Sequence, residues 1–342
     1  MRLGRAALLC VALLGCGAAE EPRPSAPSGP PLHLAPATDL AQGAELFWLM
    51  DLAPRALAAH TDLLPSVDAL LSSAQIASIA SRYGGVDLLS LEELVIASYA
   101  SPQGETMLYL VRGAVSPEKV EASFRARAET IGGRAVDRDT KTNAIVRLWG
   151  TVQGDRVQVA TFGRQVAALE IGRFGPLRVA ELFAQERLKR AEPALRIGPL
   201  PRVAELLRDP GPDDPPLRAF ALGPFEGESA KALGGLLAAS TAVGVSARPI
   251  EFKGHPALDC TIVLAGGWGA KASDAAEHLR AAFDALSATG LSRLAGLDRP
   301  LEPVRVDAVP DALRLRVVLD AVTLARGARA AMGAEISEIM SY

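Results

Sequence analysis

The sequence predicts an α+β protein of two similar halves, each a mostly antiparallel sheet covered by helices, after a Pro-rich N-terminal tether. Short apolar runs flank turn motifs such as Ser101-Pro102-Gln103-Gly104 and Gly154-Asp155, as they do in β-hairpins. Longer stretches carry apolar residues three or four positions apart, which is the spacing of helices that pack on one side. The order strand, helix, hairpin, helix, hairpin, helix occurs twice, and this repetition predicts the two halves.

The first half is assigned to residues 38–190 as an α+β domain. Ser116-Pro117 predicts a helix start, because Ser is a favoured N-cap and Pro a favoured first helical residue. Its apolar stripe is expected at Val120, Phe124, Ala128 and Ile131. In chain order the predicted elements are strand 45–52, helix 62–82, strands 94–99 and 107–112, the helix from 117 to a stop at 132–133, strands 145–152, 157–162 and 166–171, and helix 176–190.

Residues 191–216 are interpreted as a junction. A short helix near 201–208 precedes residues 209–216, a run of Pro, Asp and Gly that excludes regular structure. The alternative is a surface loop within one domain.

Residues 217–342 are predicted to form the second α+β domain. Its predicted elements are strand 217–225, helix 230–243, strands 249–253 and 258–264, helix 273–290, strands 304–306 and 313–319, and closing helix 322–340. Helix 273–290 is expected to have Ser273 as its N-cap and a stripe at Leu279, Phe283 and Leu286. The pattern is also compatible with chance, in which case the chain is one irregular α+β domain.

The first sixteen residues have the layout of a secretory signal. Arg2 and Arg5 precede an uncharged apolar run, residues 6–14, that is too short to span a bilayer. The run ends in Leu13-Leu14-Gly15-Cys16, which resembles the lipobox of bacterial lipoproteins. The alternative is an ordinary secretory signal in which Cys16 occurs by chance.

The lipobox resemblance implies a lipid anchor. In that family the Cys thiol receives a diacylglyceryl group, the chain is cut before the Cys, and the new amine is acylated. Residues 1–15 are therefore expected to be a signal peptide, and Cys16 the lipid attachment site. Gly17 stands where Asp favours inner-membrane retention in enterobacterial relatives. The resemblance thus implies a palmitate-bearing outer-membrane protein whose partner is the membrane itself, with its body in the periplasm or at the cell surface.

Residues 16–37 are expected to combine the lipidated Cys16 with a tether. The segment is rich in Pro, which resists helix formation and favours extended polyproline geometry. At ~3.1 Å per residue the tether could hold the body roughly 65 Å from the lipid.

Composition excludes several classes of protein. The formal net charge is −3, aromatic residues make up 5% of the chain, and no basic tract is present, so no nucleic-acid partner is expected. Of the three cysteines, Cys10 lies in the signal peptide and Cys16 in the lipobox. Cys260 is left alone, so an intrachain disulfide is not expected.

The search for reactive residues predicts no catalytic, cofactor-binding or metal site. His60 and Asp62 lack a neighbouring thiol or second His. His255, Asp259 and Cys260 form the best local cluster, but alternation along a strand turns Cys260 toward the core and away from Asp259. The loop 266–271 lacks the Gly-Lys-Ser/Thr ending of a phosphate-binding loop and is interpreted as a strand-to-helix connection.

The sequence therefore favours a non-enzymatic envelope lipoprotein with a binding or scaffolding body. The alternative is a carrier or chaperone for lipid or other apolar cargo, which requires a sizeable apolar cavity. The uncharged segment 232–247 is interpreted as a buried helix or, alternatively, as the lining of such a cavity. A hydrolase is the third hypothesis and requires acidic or His groups that converge in a cleft.

Overall fold

The computed structural model describes residues 31–331 except 71, 83, 102–103, 131–136, 142–144, 153–154, 173–174, 189 and 209–212. Within this part of the chain, twelve strands form one antiparallel sheet. The strands are β1 Leu46–Leu52, β2 Glu93–Ser101, β3 Gly104–Arg112, β4 Asp137–Lys141, β5 Ile145–Val152, β6 Asp155–Phe162, β7 Val166–Ile171, β8 Leu217–Leu222, β9 Ala242–Phe252, β10 His255–Ala265, β11 Arg305–Val309 and β12 Ala312–Asp320. The predicted α+β class and its antiparallel character are confirmed.

In the sequence, the described α-helices connect these strands, and the last helix follows β12. They are α1 Pro54–Ala58, α2 Leu64–Leu70, α3 Ser73–Arg82, α4 Pro117–Thr130, α5 Pro176–Ala184, α6 Leu200–Arg208, α7 Gly227–Lys231, α8 Ala272–Ser287, α9 Gly290–Leu294 and α10 Ala321–Ala331. None of these helices is long and apolar enough to cross a membrane. The predicted closing helix begins as expected, but its residues 332–340 lie outside the described residues.

Two predicted helices were wrong in form. The predicted helix 62–82 is divided into a 3₁₀ turn, Thr61–Leu63, and the separate helices α2 and α3. The predicted helix 230–243 is replaced by α7, a kinked 3₁₀ segment at Ala232–Ala239 and the start of β9. The kink arises because Leu233, Gly234 and Gly235 adopt positive φ angles, which a continuing right-handed helix does not allow.

The strand order is β11-β12-β10-β9-β8-β1-β2-β3-β7-β6-β5-β4. The predicted hairpins β2–β3 and β5–β6 are confirmed. At the centre, β1 pairs with β8, so Asp51 lies opposite Arg218 and Leu49 opposite Phe220. Strands of both predicted domains therefore belong to one sheet, and the division into two domains stays a prediction.

The front face of the sheet carries the main core. We define it as the face of Leu49, Val95, Leu110 and Phe220, which are at most 2% exposed. Helices α5 and α6 cover this face, and α6 comes from the segment interpreted as a junction. The approach is so close that a Cβ on Gly244 of β9 would lie 2.3 Å from Val203 Cγ1 of α6.

The opposite, back face is covered at two places. Helix α4 packs Val120 and Phe124 on β5, β6 and β7, and α8 packs Leu279 and Phe283 on β10 and β12. All four of these side chains are buried, as predicted. Leu286 was predicted to belong to the apolar stripe of α8, but its side chain is 44% exposed. It lies beyond Phe283, the last residue of α8 in the buried cluster. Ile131 lies outside the described residues.

The two helix starts differ. Ser116 Oγ accepts a hydrogen bond of 3.3 Å from the backbone N–H of Lys119, so it is the N-cap of α4, as predicted. Ser273 is not the N-cap of α8, because the helix begins at Ala272 and Lys271 occupies the cap position without a side-chain bond. The 3₁₀ turn Gly269–Lys271 leads directly into the helix, so α8 begins earlier in the chain than predicted.

Candidate functional site

A polar cleft of about 530 Å³ opens at the front face where β1 ends and α1 begins. The strands supply its floor, and the loop before β8 supplies one wall. Charged and titratable residues dominate its lining: Asp51, His60, Glu93, Asp213, Asp214, Arg218 and Arg248. Acidic and His groups therefore converge at one cleft, which is the arrangement that the hydrolase hypothesis required.

The floor of the cleft is a buried ion-pair network. Arg218 donates two hydrogen bonds to Asp51 Oδ2, one of them from Nε at 3.2 Å, and its Nη1 lies 2.8 Å from Asp214 Oδ1. Asp51 and Arg218 are 5% and 7% exposed. Burial raises the pKa of Asp51 above its ordinary value, and the guanidinium of Arg218 opposes that shift.

Glu93 and Arg248, which also line the cleft, have structural partners too. Glu93 accepts hydrogen bonds from the backbone N–H of Ala37, at 3.0 and 3.1 Å, and from Arg112. Arg248 donates from Nη2 to the carbonyl oxygens of Arg208 and Asp213. These bonds join the front-face strands to the first described residues and to the loop before β8. The paired residues thus form a structural clamp, and the exposed side chains of His60 and Asp213 line the cleft beside it.

The predicted local cluster on β10 is divided between the two faces. Cys260 is half-buried and packs against the α8 cluster, as predicted. Burial, reinforced by the charge of Asp259, raises the pKa of its thiol to about 12, so the thiol is not activated as a nucleophile. Asp259 points to the front face and forms a bidentate ion pair with Arg316 at 2.7 and 2.6 Å. His255 is exposed at the start of the strand.

A second buried carboxylate lies on the front face, outside the cleft. Glu170 of β7 is fully buried and accepts hydrogen bonds from the backbone N–H groups of Gly175 (2.8 Å) and Leu177 (2.9 Å) at the start of α5. Burial raises its pKa to about 7, although both amide groups favour the charged form. Arg147 lies 3.5 Å from the neighbouring Glu181. The sequence analysis missed this cluster, although a Glu in the otherwise apolar β7 is a usable signal.

The back face carries an apolar strip between the two helix-covered regions. The strip comprises half-buried side chains that belong to neither buried cluster, drawn from five adjacent strands. Its members are Trp48, Met50 and Leu52 of β1, Leu94 and Ile96 of β2, Met107 and Tyr109 of β3, Leu217, Ala219 and Ala221 of β8, and Val245 of β9. Cross-strand pairs such as Met50–Ala219 and Met50–Ile96 place them on one face.

Helices border this strip. Helix α4 lies beside β3 and β7, and α8 lies beside β10. The turn Thr61–Leu63 contacts β10, α2 packs against α10, and α3 packs against α4. The turn Thr61–Leu63, α2 and α3 thus contact elements on both sides of the strip.

The remaining predicted sites have simple outcomes. Cys16 and the signal sequence lie outside the described residues, so the anchor stays a prediction. His60 is exposed, and the loop 266–271 connects β10 to α8 as predicted. Within the described part of the chain, His, Cys, Asp and Glu form no group of three or more suited to a metal ion.

No protein-family model matches the sequence, and no curated protein matches it. Among solved structures, crystal form I of TP0453 is similar with a TM-score of 0.48 and 12% sequence identity, covering 87% of this chain and 98% of the other. Crystal form IV of TP0453 has a TM-score of 0.45 and 10% identity, covering 87% and 96%. Neither similarity is high enough to indicate a ligand or an activity.

Proposed function

We propose that the chain is a lipid-anchored protein of the bacterial envelope whose body serves as a non-enzymatic binding or scaffolding module. The observation that carries the proposal is Leu13-Leu14-Gly15-Cys16 after a short apolar run. The Pro-rich tether supports it, because such a segment separates a folded body from a lipid surface. The body is proposed to lie on the periplasmic or outer side of the outer membrane.

A non-enzymatic body agrees with the chemistry of the polar cleft. Asp51 is paired with Arg218, and Glu93 is bound by Arg112 and by the amide of Ala37. A carboxylate whose oxygens already accept hydrogen bonds from a guanidinium or a backbone amide has fewer lone pairs to direct at a substrate.

The anchor is tested by substitution of Cys16. Cys16→Ser removes the thiol that would be acylated, so incorporation of radiolabelled palmitate should fall to background, and the protein should remain unprocessed or leave the membrane fraction. Cys260→Ser is the matched control, since it also removes one thiol but leaves the lipobox intact. Equal palmitate incorporation in the wild type and Cys16→Ser would refute the anchor.

The second candidate is a carrier for lipid or other apolar cargo. The apolar strip favours it, because eleven half-buried apolar side chains adjoin one another on the back face without a charged residue among them. A monomeric soluble surface rarely leaves so continuous an apolar area without a partner or ligand. The predicted cavity-lining segment 232–247 contributes Val245 to this strip.

The two predicted halves also remain a proposal. The strand order β1-β2-β3-β7-β6 on one side of the β1–β8 pairing corresponds to the order β8-β9-β10-β12-β11 on the other side. The hairpin β4–β5 is an addition to the first series. Helices α4 and α8 follow the third strand of each series and lie on the same face. These correspondences support an internal duplication.

A further inference from the structure

The apolar strip differs from the rest of the sheet in its degree of cover. On the front face of the same central strands, Leu49, Val95 and Leu110 are fully buried, whereas their back-face neighbours Met50 and Ile96 are only half-buried. The difference has a structural cause. Helices α5 and α6 lie directly on the front face, but α4 and α8 stand at the two margins of the strip. The strip is therefore the floor of a trough.

The floor of the trough carries its smallest side chains along β8. Ala219 and Ala221 provide only methyl groups there, between the larger side chains of β1 and Val245 of β9. Helices of about 10 Å diameter border the trough, so a broad, flat protein surface cannot reach its floor. A narrow and flexible occupant fits this shape better than a second folded copy of the chain.

The charge of the strip restricts the chemistry of the occupant. None of its eleven side chains carries a charge. Such a floor favours an occupant whose buried part is hydrocarbon. A phospholipid can place its acyl chains on the strip and keep its head group in water.

The dimensions also agree with acyl chains. Five strands about 4.8 Å apart give a floor about 19 Å across. The acyl chains of one bilayer leaflet extend about 15 Å, which is half of the hydrocarbon core. One layer of chains lying across the strands would therefore cover most of the width of the strip.

We propose that the apolar strip binds the acyl chains of a membrane phospholipid, in the trough between α4 and α8. The inference deepens the binding role proposed above, but it does not require the anchor, because the strip lies wholly within the folded body. Helix α2 packs against α10, and α3 packs against α4, which borders the trough.

The test is photo-crosslinking of the full-length processed protein in phosphatidylcholine vesicles that contain a phosphatidylcholine with a diazirine at the end of one chain. Adducts mapped by mass spectrometry are expected on peptides of β1, β2 and β8. Ala219→Trp fills the trough and should reduce these adducts about tenfold, equivalent to about 1.4 kcal/mol. Ala285→Trp, the same change at an exposed site on α8, should leave them unchanged.

Two further measurements make the result decisive. Ala221→Leu fills the neighbouring row with a smaller side chain, and thermal unfolding of each variant shows that the fold is retained. Adducts confined to residues 16–37, or adducts unaffected by both trough substitutions, would overturn the proposal. So would burial of the strip in a dimer, or labelling that appears only after residues 332–342 are removed. Equal palmitate incorporation in the wild type and Cys16→Ser, together with normal strip adducts, would refute the anchor alone.

Discussion

At the scale of single residues, the most unusual environment is that of Glu170. Its carboxylate is fully buried, and burial raises its pKa from 4.5 to about 7. The folded state therefore holds this proton more tightly than the unfolded state. The stabilisation from the raised pKa is complete below about pH 4.5 and is lost as the pH rises through about 7.

This pH dependence should disappear in Glu170→Gln. We expect the free energy of unfolding of the wild type to fall between pH 5 and pH 8, by at most roughly 1.4 kcal/mol per pH unit from this group. Urea unfolding at a series of pH values measures the slope. Glu226→Gln, a change at an exposed site, should keep the wild-type slope. An identical slope in Glu170→Gln would show that the carboxyl does not titrate in this range.

Residue chemistry was only partly predictable. The back-face orientation of Cys260 followed from strand alternation, which is a local property. Asp51 and Arg218 were hidden in strands interpreted as apolar, and their hydrogen bond joins positions 167 residues apart. No periodicity within either strand indicates such a partner, because it is determined by the β1–β8 register.

At the scale of elements, the two long back-face helices offer a matched comparison. Ser116→Ala removes the side chain that accepts the Lys119 N–H and should lower stability by ~1 kcal/mol. Ser273→Ala changes an exposed position inside α8 and should alter stability by less than about 0.5 kcal/mol. Urea unfolding midpoints measure both. Equal losses would contradict the assigned caps.

The elements that were predicted correctly depend on neighbours in sequence. The pairing of β2 with β3 in a hairpin and the Ser-Pro start of α4 are examples. The predicted helix 230–243 failed where Leu233 and two Gly residues adopt positive φ, a conformation supported by packing of Leu233 and Leu236 against the α8 cluster. The extent to which helices cover the apolar strip could not be predicted, because it depends on the packing positions of helices that are far from these strands in the sequence.

At the scale of the whole molecule, the central pairing of β1 with β8 determines whether the halves can be separated. Residues 38–190 produced alone would expose the edge of β1, a seven-residue strand with apolar side chains on both faces. We expect this fragment to aggregate or dimerise, because an unpaired edge of this kind recruits another strand. Light scattering should show recovery of a single species on mixing with residues 217–342. A stable monomer of 38–190 would instead establish two independent domains.

The ends of the described sheet have a different composition from its centre. Its outermost strands, β4 and β11, have five residues each, and their sequences Asp-Arg-Asp-Thr-Lys and Arg-Val-Asp-Ala-Val place charges along both margins. Charged, short margins oppose strand addition from neighbouring molecules. If the proposed anchor confines many copies to one lipid leaflet, collisions occur in two dimensions at high local density. Because both sheet margins are short and charged, neighbouring copies would be able to collide repeatedly without pairing their edge strands into a continuous fibre.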